Sequence, residues 1–411
     1  MLTPKTIEIV KATAPILQEH GETLTRHFYK RMFAHNPEVA PFFNPAHQQS
    51  GSQQKALASA VCAYAANIDN LGALGGAVEL IAQKHVSLQI KPEHYPIVGS
   101  NLLASIREVL GEGATDDVIN AWAEAYGLLA DILIKREAEI YQQQADMPHG
   151  WNDFKTFRII RKERESDIVT SFYLVPENGD AVPEYKAGQY VTVQMPSPCG
   201  HTTMRNYSLS DKPNGEYFRI SVKRENGADA TTPNGYVSNM LHDNANIGDV
   251  LSVAAPCGEF YLDSDSNAER PLVFMAGGIG ITPIKSMLKQ ALDTMPKRRI
   301  ILLYAALHEN VQAFRQMLDK LAAQHDNLTI CHVYSDAAPH GVVRHPEAVT
   351  GVIDSTLLEK FIPDHNADYY FCGPKPFMVS LYRQLTEWNV PLTQIHFEFF
   401  GPRQELEKAA A

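Results

Sequence analysis

Arg205-Asn206-Tyr207-Ser208 lies in a run of strand-like residues, and the order of the motifs downstream of it decides the reading of the chain. Period-2 alternation puts Arg205 and Tyr207 on one side of a strand. A guanidinium there can grip a pyrophosphate, and two residues on a ring can stack against a flat partner. Ser208 is left to reach a ring nitrogen. Downstream comes Gly235-Tyr236-Val237-Ser238-Asn239 before a short helical run, where backbone amides and Ser238 can receive a phosphate at a helix N-terminus. Taken alone it would be an ordinary surface turn, but its place between two nucleotide-type motifs favours the phosphate reading.

The second of those motifs is Gly277-Gly278-Ile279-Gly280-Ile281-Thr282-Pro283. It comes after an apolar strand and is read as opening a helix over 284–292, the context a dinucleotide loop requires. It is not G-x-G-x-x-G, because Pro283 replaces the last glycine. Its glycines still permit close backbone approach, and the helix end supplies positive potential. Cys372-Gly373-Pro374 then closes an apolar strand at the carboxyl edge where ligands of open α/β sheets sit. An isolated buried cysteine is ordinarily structural. Glu398-Phe399-Phe400-Gly401-Pro402 ends the series. The ordered set suits a flavin fed by a nicotinamide.

Upstream of these motifs, residues 1–142 are helical in periodicity, broken at Gly21, Asn36-Pro37, Gly72, Pro92 and 111–113. Thr3 and Pro4 form an N-cap and first-turn pair. The polar stretch ending Met147-Pro148-His149-Gly150 is a linker, placed at 143–152. Residues 153–265 carry short strands separated by turns such as Asn178-Gly179 and Asn214-Gly215, which fits an antiparallel barrel. Residues 266–411 alternate strands (272–276, 300–304, 328–334, 369–372) with helices, a doubly wound parallel sheet. The fold class is thus multidomain: all-α, then β-barrel, then α/β.

The 411 residues suffice for two or three cores, and 45% hydrophobic with 20% charged content is that of an ordinary globular protein. A net charge of −11 argues against nucleic acid or an anionic membrane as the main partner. The five cysteines lack the spacing of a disulfide framework, a cysteine zinc site or an iron–sulfur cluster. With no signal-peptide core at the N-terminus and no apolar run long enough to span a bilayer, the expected compartment is the cytoplasm.

The helical part holds three anomalies. Val78, Ile81, His85 and Leu88 share a helix face, and a histidine on such a stripe is by default a satisfied core residue. Glu137, however, extends the apolar stripe Trp122, Tyr126, Leu129, Leu133. A carboxylate there needs a partner, and a ligating imidazole wants its other nitrogen bonded to one. Tyr95, just after the His85 helix, can join the pair. On another wall, Tyr29 shares a face with Thr25, Met32 and Phe33, and Gln53 begins a stripe with Leu57, Ala60 and Tyr64. A phenol and an amide facing an apolar pocket suit a bound diatomic oxygen species. Each taken singly is an amphipathic boundary residue.

From about 154 to 402 the chain resembles the ferredoxin–NADP reductase superfamily, and residues 1–142 look like a globin. Together they resemble the bacterial and fungal flavohaemoglobins. The resemblance implies haem b on His85 as the iron ligand, Tyr95 and Glu137 behind it, Tyr29 and Gln53 on the distal side, and Phe43 and Leu57 packing on the haem. It implies FAD held by Tyr190, Arg205, Asn206, Tyr207, Ser208, Gly235, Val237 and Ser238. The nicotinamide dinucleotide falls to Gly278, Ile279, Gly280, Ile281, Thr282, Pro283, Cys372, Gly373 and Pro374. Phe399, Phe400, Gly401 and Pro402 border the flavin, and Lys84 and Glu398 pair at the haem–flavin junction.

The implied activity is nitric oxide dioxygenase: electrons pass from NAD(P)H through FAD to haem, where NO and dioxygen become nitrate. Nothing after Tyr304 decides between NADH and NADPH. A peroxide or quinone reductase using the same flavin is the alternative enzyme. An oxygen or NO sensor would need an output segment, and the three domains account for the whole chain. A monomer is expected, with the apolar distal pocket a place a lipid could enter.

Overall fold

The computed structural model describes residues 2–43, 48, 51–197, 200, 202–227, 234–263, 269–336, 345 and 347–400. Helix α1 (Pro4–Glu19) starts as its sequence dictates, the Thr3 hydroxyl accepting the Thr6 amide at 3.1 Å. Then come α2 (Gly21–His35), a 3-10 turn (Pro37–Phe42), α3 (Ser52–Ala66), α4 (Gly75–Ser87), α5 (His94–Leu110) and α6 (Asp116–Asp146). The breaks at Gly21, Pro37, Gly72, Pro92 and 111–113 fall where the periodicity marks them, and a further one precedes Ser52. Gly99 on α5 lets that helix close on α6, since a Cβ there would lie 2.5 Å from the Tyr126 ring. The Tyr126 hydroxyl in turn donates to the Tyr95 carbonyl at 2.6 Å and anchors the start of α5.

The expected end of the helical part at 142 is corrected. Helix α6 runs on to Asp146 because nothing breaks it before Met147, which the next residue, a proline, holds in an extended conformation. Its last turn is used: Gln144 Nε2 donates to the Pro256 carbonyl at 3.1 Å, binding the helix tail to the next domain.

That domain is a six-stranded antiparallel sheet of order β4-β3-β6-β1-β2-β5. Its strands are β1 (Phe154–Arg164), β2 (Val169–Pro176), β3 (Tyr190–Pro196), β4 (Thr202–Ser208), β5 (Phe218–Lys223) and β6 (Val250–Ala254), with α7 (Tyr236–Asp243) between the last two. Phe157, Phe172, Val191, Phe218 and Val253 fill its interior. Gly179 and Gly215 turn at positive φ, 81° and 72°, as the Asn-Gly pairs lead one to expect.

The third unit is a parallel sheet of order β10-β9-β8-β7-β11-β12, with helices α8 (Ile281–Thr294), α9 (Arg315–Gln324), α10 (Ser355–Phe361) and α11 (Lys375–Glu387). Its strands are β7 (Leu272–Gly277), β8 (Ile300–Ala306), β9 (Leu328–Tyr334), β10 (Val349–Thr350), β11 (Asp368–Cys372) and β12 (Ile395–Glu398). The chain winds from β7 through β10 on one side and returns to β11 on the other, so the switch point lies between β7 and β11. Helix α8 begins at Ile281 rather than 284. Gly278–Gly280 form one 3-10 turn, and Pro283 sits in the first helical turn, where its missing N–H breaks no helical bond. No helix among the described residues is long and apolar enough to cross a membrane.

Candidate active site

The last turn of α4 carries His85, whose Nδ1 lies 2.8 Å from Glu137 Oε1 and 3.1 Å from the Tyr95 hydroxyl. Tyr95 donates to the same carboxylate oxygen at 2.5 Å. Glu137 is 2% exposed, and its Oε1 takes both donors. An ionised carboxylate can only accept, which puts the imidazole proton on Nδ1 and leaves Nε2 its lone pair for a metal. Burial first, and then the Glu137 bond, push the Tyr95 phenol far above its ordinary pKa, which keeps it a donor. The donor set fits a haem iron.

Tyr29, Phe43 and Leu57 gather in a separate cluster. Tyr29 is buried with its ring 5.5 Å from Phe43 and 5.9 Å from Phe33, and burial raises its pKa. Leu57 packs against the same cluster. Gln53, in the first turn of α3, accepts from Gln48 Nε2 at 2.9 Å. Tyr126 and Leu129 border both this cluster and the one around Tyr95, so the two belong to one helical bundle.

Strands β3 and β4 pair Tyr190 with Ser208 and Val193 with Arg205. The Arg205 guanidinium is steered by the Thr203 hydroxyl at 3.0 Å and the Met204 carbonyl at 2.7 Å. Ser208 Oγ is buried and has no hydrogen-bond partner among the described residues. An orphaned buried hydroxyl beside Tyr190 and Tyr207 is what a flavin ring nitrogen would satisfy. The Ser238 hydroxyl accepts from the Glu225 amide at 3.2 Å and donates to the Gly235 carbonyl at 3.0 Å.

The glycine loop and Cys372-Gly373-Pro374 meet at the switch point. A Cβ on Gly280 would lie 2.1 Å from the Cys372 carbonyl, and one on Gly277 2.9 Å from Pro374. These glycines therefore let two backbones touch at the place where a dinucleotide would lie. Cys372 pairs with Glu398 on β12, which puts the Glu398 carboxyl beside the same edge. Burial pushes that carboxyl up to about 7 against the pull of Lys84. Lys84 keeps contact with solvent, yet the protein crowding its ammonium lowers its pKa, and Glu398 partly restores it. Lys84 Nζ also sits 5.6 Å from the Tyr190 ring centre. Phe399 packs on the sheet core while Phe400 is 47% exposed, free to cover a flat ligand. Gly401 and Pro402 lie outside the described residues.

Sequence reasoning missed the residues that join the domains. Gln83 accepts from the Gly258 amide at 3.0 Å, and Gln89 accepts from the Asp153 amide at 3.0 Å. Asn206 reaches Ser87, two residues from His85, at 3.4 Å. Buried Asp211 gathers Lys285, Lys289 and Arg219 between barrel and sheet. Burial raises its pKa, but the three cations outweigh that and hold it below the usual range. A signal was present, since Lys285 and Lys289 stand one turn apart on the face of α8 that also carries Ile281, Leu288 and Leu292.

A helical domain with a buried His–Glu–Tyr constellation, joined to a flavin barrel and a nicotinamide sheet, defines a haem protein with its own reductase. Family models agree segment by segment: Globin over residues 26–133, Oxidoreductase FAD-binding domain over 156–261 and Oxidoreductase NAD-binding domain over 274–383. The chain is 49% identical to the Flavohemoprotein of Rhodopirellula baltica, covering 99% of each. It is 48% identical to that of Halalkalibacterium halodurans, covering 98% of this chain and 97% of the relative. The chain belongs to the flavohemoprotein family. Its fold is that of the flavohemoglobin of Malassezia yamatoensis, at TM-score 0.84 and 24% identity over 97% of this chain and 100% of that one. The FAD/NAD-binding domain of nitric oxide dioxygenase from Vibrio cholerae matches 61% of the chain and 100% of its own, at TM-score 0.55 and 34% identity. Haem, FAD and a nicotinamide dinucleotide are its cofactors.

Proposed function

We propose that this protein is a nitric oxide dioxygenase, oxidising NO to nitrate with dioxygen and electrons from NAD(P)H. The observation that carries it is His85, held by Glu137 and Tyr95 with Nε2 left for iron, in one chain with a complete flavin and nicotinamide module. When bound, the cofactors supply hydride transfer, release of single electrons and the oxygen chemistry at iron. NO, dioxygen and one electron make nitrate, so each NAD(P)H serves two turnovers and releases one proton.

The chain's own residues bind and orient. His85 would ligate the haem, and Tyr29, Gln53, Phe43 and Leu57 would pack about it. The anionic hydrogen bond to His85 strengthens imidazole donation, which favours oxygen activation over reversible carriage. Tyr29 would offer its hydroxyl as a donor to the oxygen substrate. Arg205 would meet the FAD pyrophosphate, Ser208, Tyr190, Asn206 and Tyr207 its ring end, and Ser238 with the amides after Gly235 its phosphate. Gly278 to Pro283 and Cys372 to Pro374 receive the nicotinamide dinucleotide, and Phe400 covers the flavin. Lys84 and Glu398 put opposite charges where electrons pass between the domains. The protein works as a monomer, since all three centres share one polypeptide. It works in the cytoplasm, where its free Cys62, Cys257, Cys331 and Cys372 stay reduced.

The test is aerobic NO consumption by holoprotein with NADH or NADPH, with nitrate counted against NO. Stoichiometric nitrate, formed faster than peroxide or quinone is reduced, is the expected result. Peroxide reduction outrunning NO consumption would replace this reading with the peroxidase one.

A further inference from the structure

Far from the β7–β11 switch point, at the opposite side of the parallel sheet, three metal-type side chains converge. His332 on β9 is 2% exposed and uses both ring nitrogens. Its Nδ1 lies 3.0 Å from Gln312 Nε2, and its Nε2 lies 2.9 Å from Asp319 Oδ1 on α9. His345, just before β10, brings its own Nε2 to 3.8 Å from the same carboxylate oxygen. The two imidazole rings are 4.9 Å apart. One ligand atom from each of the three residues lies within 4.8 Å of the others.

The geometry points to a binding site for a divalent first-row transition ion, Zn²⁺, coordinated by His332 Nε2, Asp319 Oδ1 and His345 Nε2, holding His345 against α9 and β9. Ligands about 2.1 Å from a tetrahedral zinc ion lie about 3.4 Å from one another. The His332–Asp319 pair opens by about 0.5 Å to reach that spacing, and the His345–Asp319 pair closes by about 0.4 Å. The two imidazole nitrogens, within 4.8 Å of each other, close by up to about 1.4 Å, which the partly exposed His345 ring supplies by turning toward β9. Two imidazoles and a carboxylate are a zinc donor set that leaves a fourth position for water. The Asp319 and His345 side chains, 38% and 23% exposed, leave that position open to solvent.

The surroundings of His332 support the same ion. Gln312 Oε1 accepts from the Tyr334 hydroxyl at 2.6 Å, so the amide is held against the ring on one side and a hydroxyl on the other. Turning the amide over presents its oxygen to an Nδ1 proton and its nitrogen to the tyrosine oxygen, with no bond lost. The imidazole then keeps one proton, on Nδ1, and gives Nε2 to the metal. An ordinary histidine–aspartate hydrogen bond accounts for His332 and Asp319. A second imidazole, His345, is drawn to the same carboxylate oxygen from a different segment and completes a two-imidazole, one-carboxylate set; ligation through its Nε2 moves the ring proton to Nδ1 and gives up the Glu347 amide bond at 3.3 Å.

The test uses the full holoprotein, stripped with a chelator and then dialysed against ZnCl₂, with zinc, haem iron and FAD counted per chain. Wild type is expected to retain about one more zinc per chain than Asp319→Asn or His345→Ala, whose affinity falls by at least roughly a hundredfold. These two variants are chosen because neither side chain is fully buried, and unchanged haem and FAD contents report that each has folded. Zinc uptake equal in wild type and both variants overturns the site, as does a wild type that retains none.

Discussion

Replacing Glu137 by glutamine tests the proximal constellation with almost no change in shape. The acid is 2% exposed, and its Oε1 takes the His85 bond at 2.8 Å and the Tyr95 bond at 2.5 Å. In Glu137→Gln an oxygen can stay in place and the volume hardly changes. The charge alone is lost. A hydrogen bond to a charged group is worth about 1.5–3 kcal/mol and a neutral one about 0.5–1.5. The His85 contact therefore weakens by about 1 kcal/mol. The loss falls mainly on the ferric state, because the more positive iron draws more density from its imidazole. On a one-electron couple, about 1 kcal/mol corresponds to about 40 mV, so the haem midpoint potential rises by about that amount. Anaerobic spectroelectrochemical titration of wild type and variant at one pH measures it. The flavin couple serves as internal control, since its binding residues lie in a separate domain. A haem potential that stays within about 10 mV of wild type, or moves down, refutes the assigned role of Glu137.

Four further outcomes are expected. His85→Ala should purify without stable haem while keeping FAD and NAD(P)H-dependent dye reduction; normal haem content would reassign the ligand, although His94 already accepts the Lys91 amide at 2.9 Å. Tyr29→Phe removes a hydroxyl worth about 1.5–3 kcal/mol to a charged partner, so dioxygen should leave the haem roughly ten- to a hundredfold faster in stopped flow, and an unchanged off-rate would take Tyr29 out of the distal pocket. Gly280→Ala puts a Cβ 2.1 Å from the Cys372 carbonyl, so KM for NADH should rise steeply with FAD and haem contents retained, and unchanged NADH kinetics would contradict the contact. Glu398 holds its proton more tightly in the folded state, its pKa raised from 4.5 to about 7 by burial, so its stabilising contribution is present below the unfolded value and fades as pH rises through 7. The Tm of wild type relative to Glu398→Gln should fall over that window and level off above it, whereas a difference independent of pH would mean that the carboxyl is not raised.

Helix and strand boundaries were legible because they rest on local chemistry. Thr3 and Pro4 start α1, the Asn-Gly turns bend where φ must be positive, and the glycine loop announces a helix start after an apolar strand. Where a local signal was missing, the boundary slipped. Residues 142–146 contain neither Gly nor Pro, and α6 simply continued through them. His85 and Glu137 were each visible as a polar residue on an apolar stripe, an anomaly of periodicity that one sequence can display. Their distance could not be read, because residues 52 positions apart meet only when α4 packs on α6.

Tertiary structure alone decided the features that depend on convergence of segments far apart in the chain. It left the Ser208 hydroxyl without a partner among the described residues and tied Ser238 to its own loop. It gathered three cations on buried Asp211, and set His345 beside His332 and Asp319. Burial and hydrogen-bond satisfaction are properties of the packed whole. A residue type states what a side chain can donate, accept or ligate, and the packing determines whether anything is there to receive it.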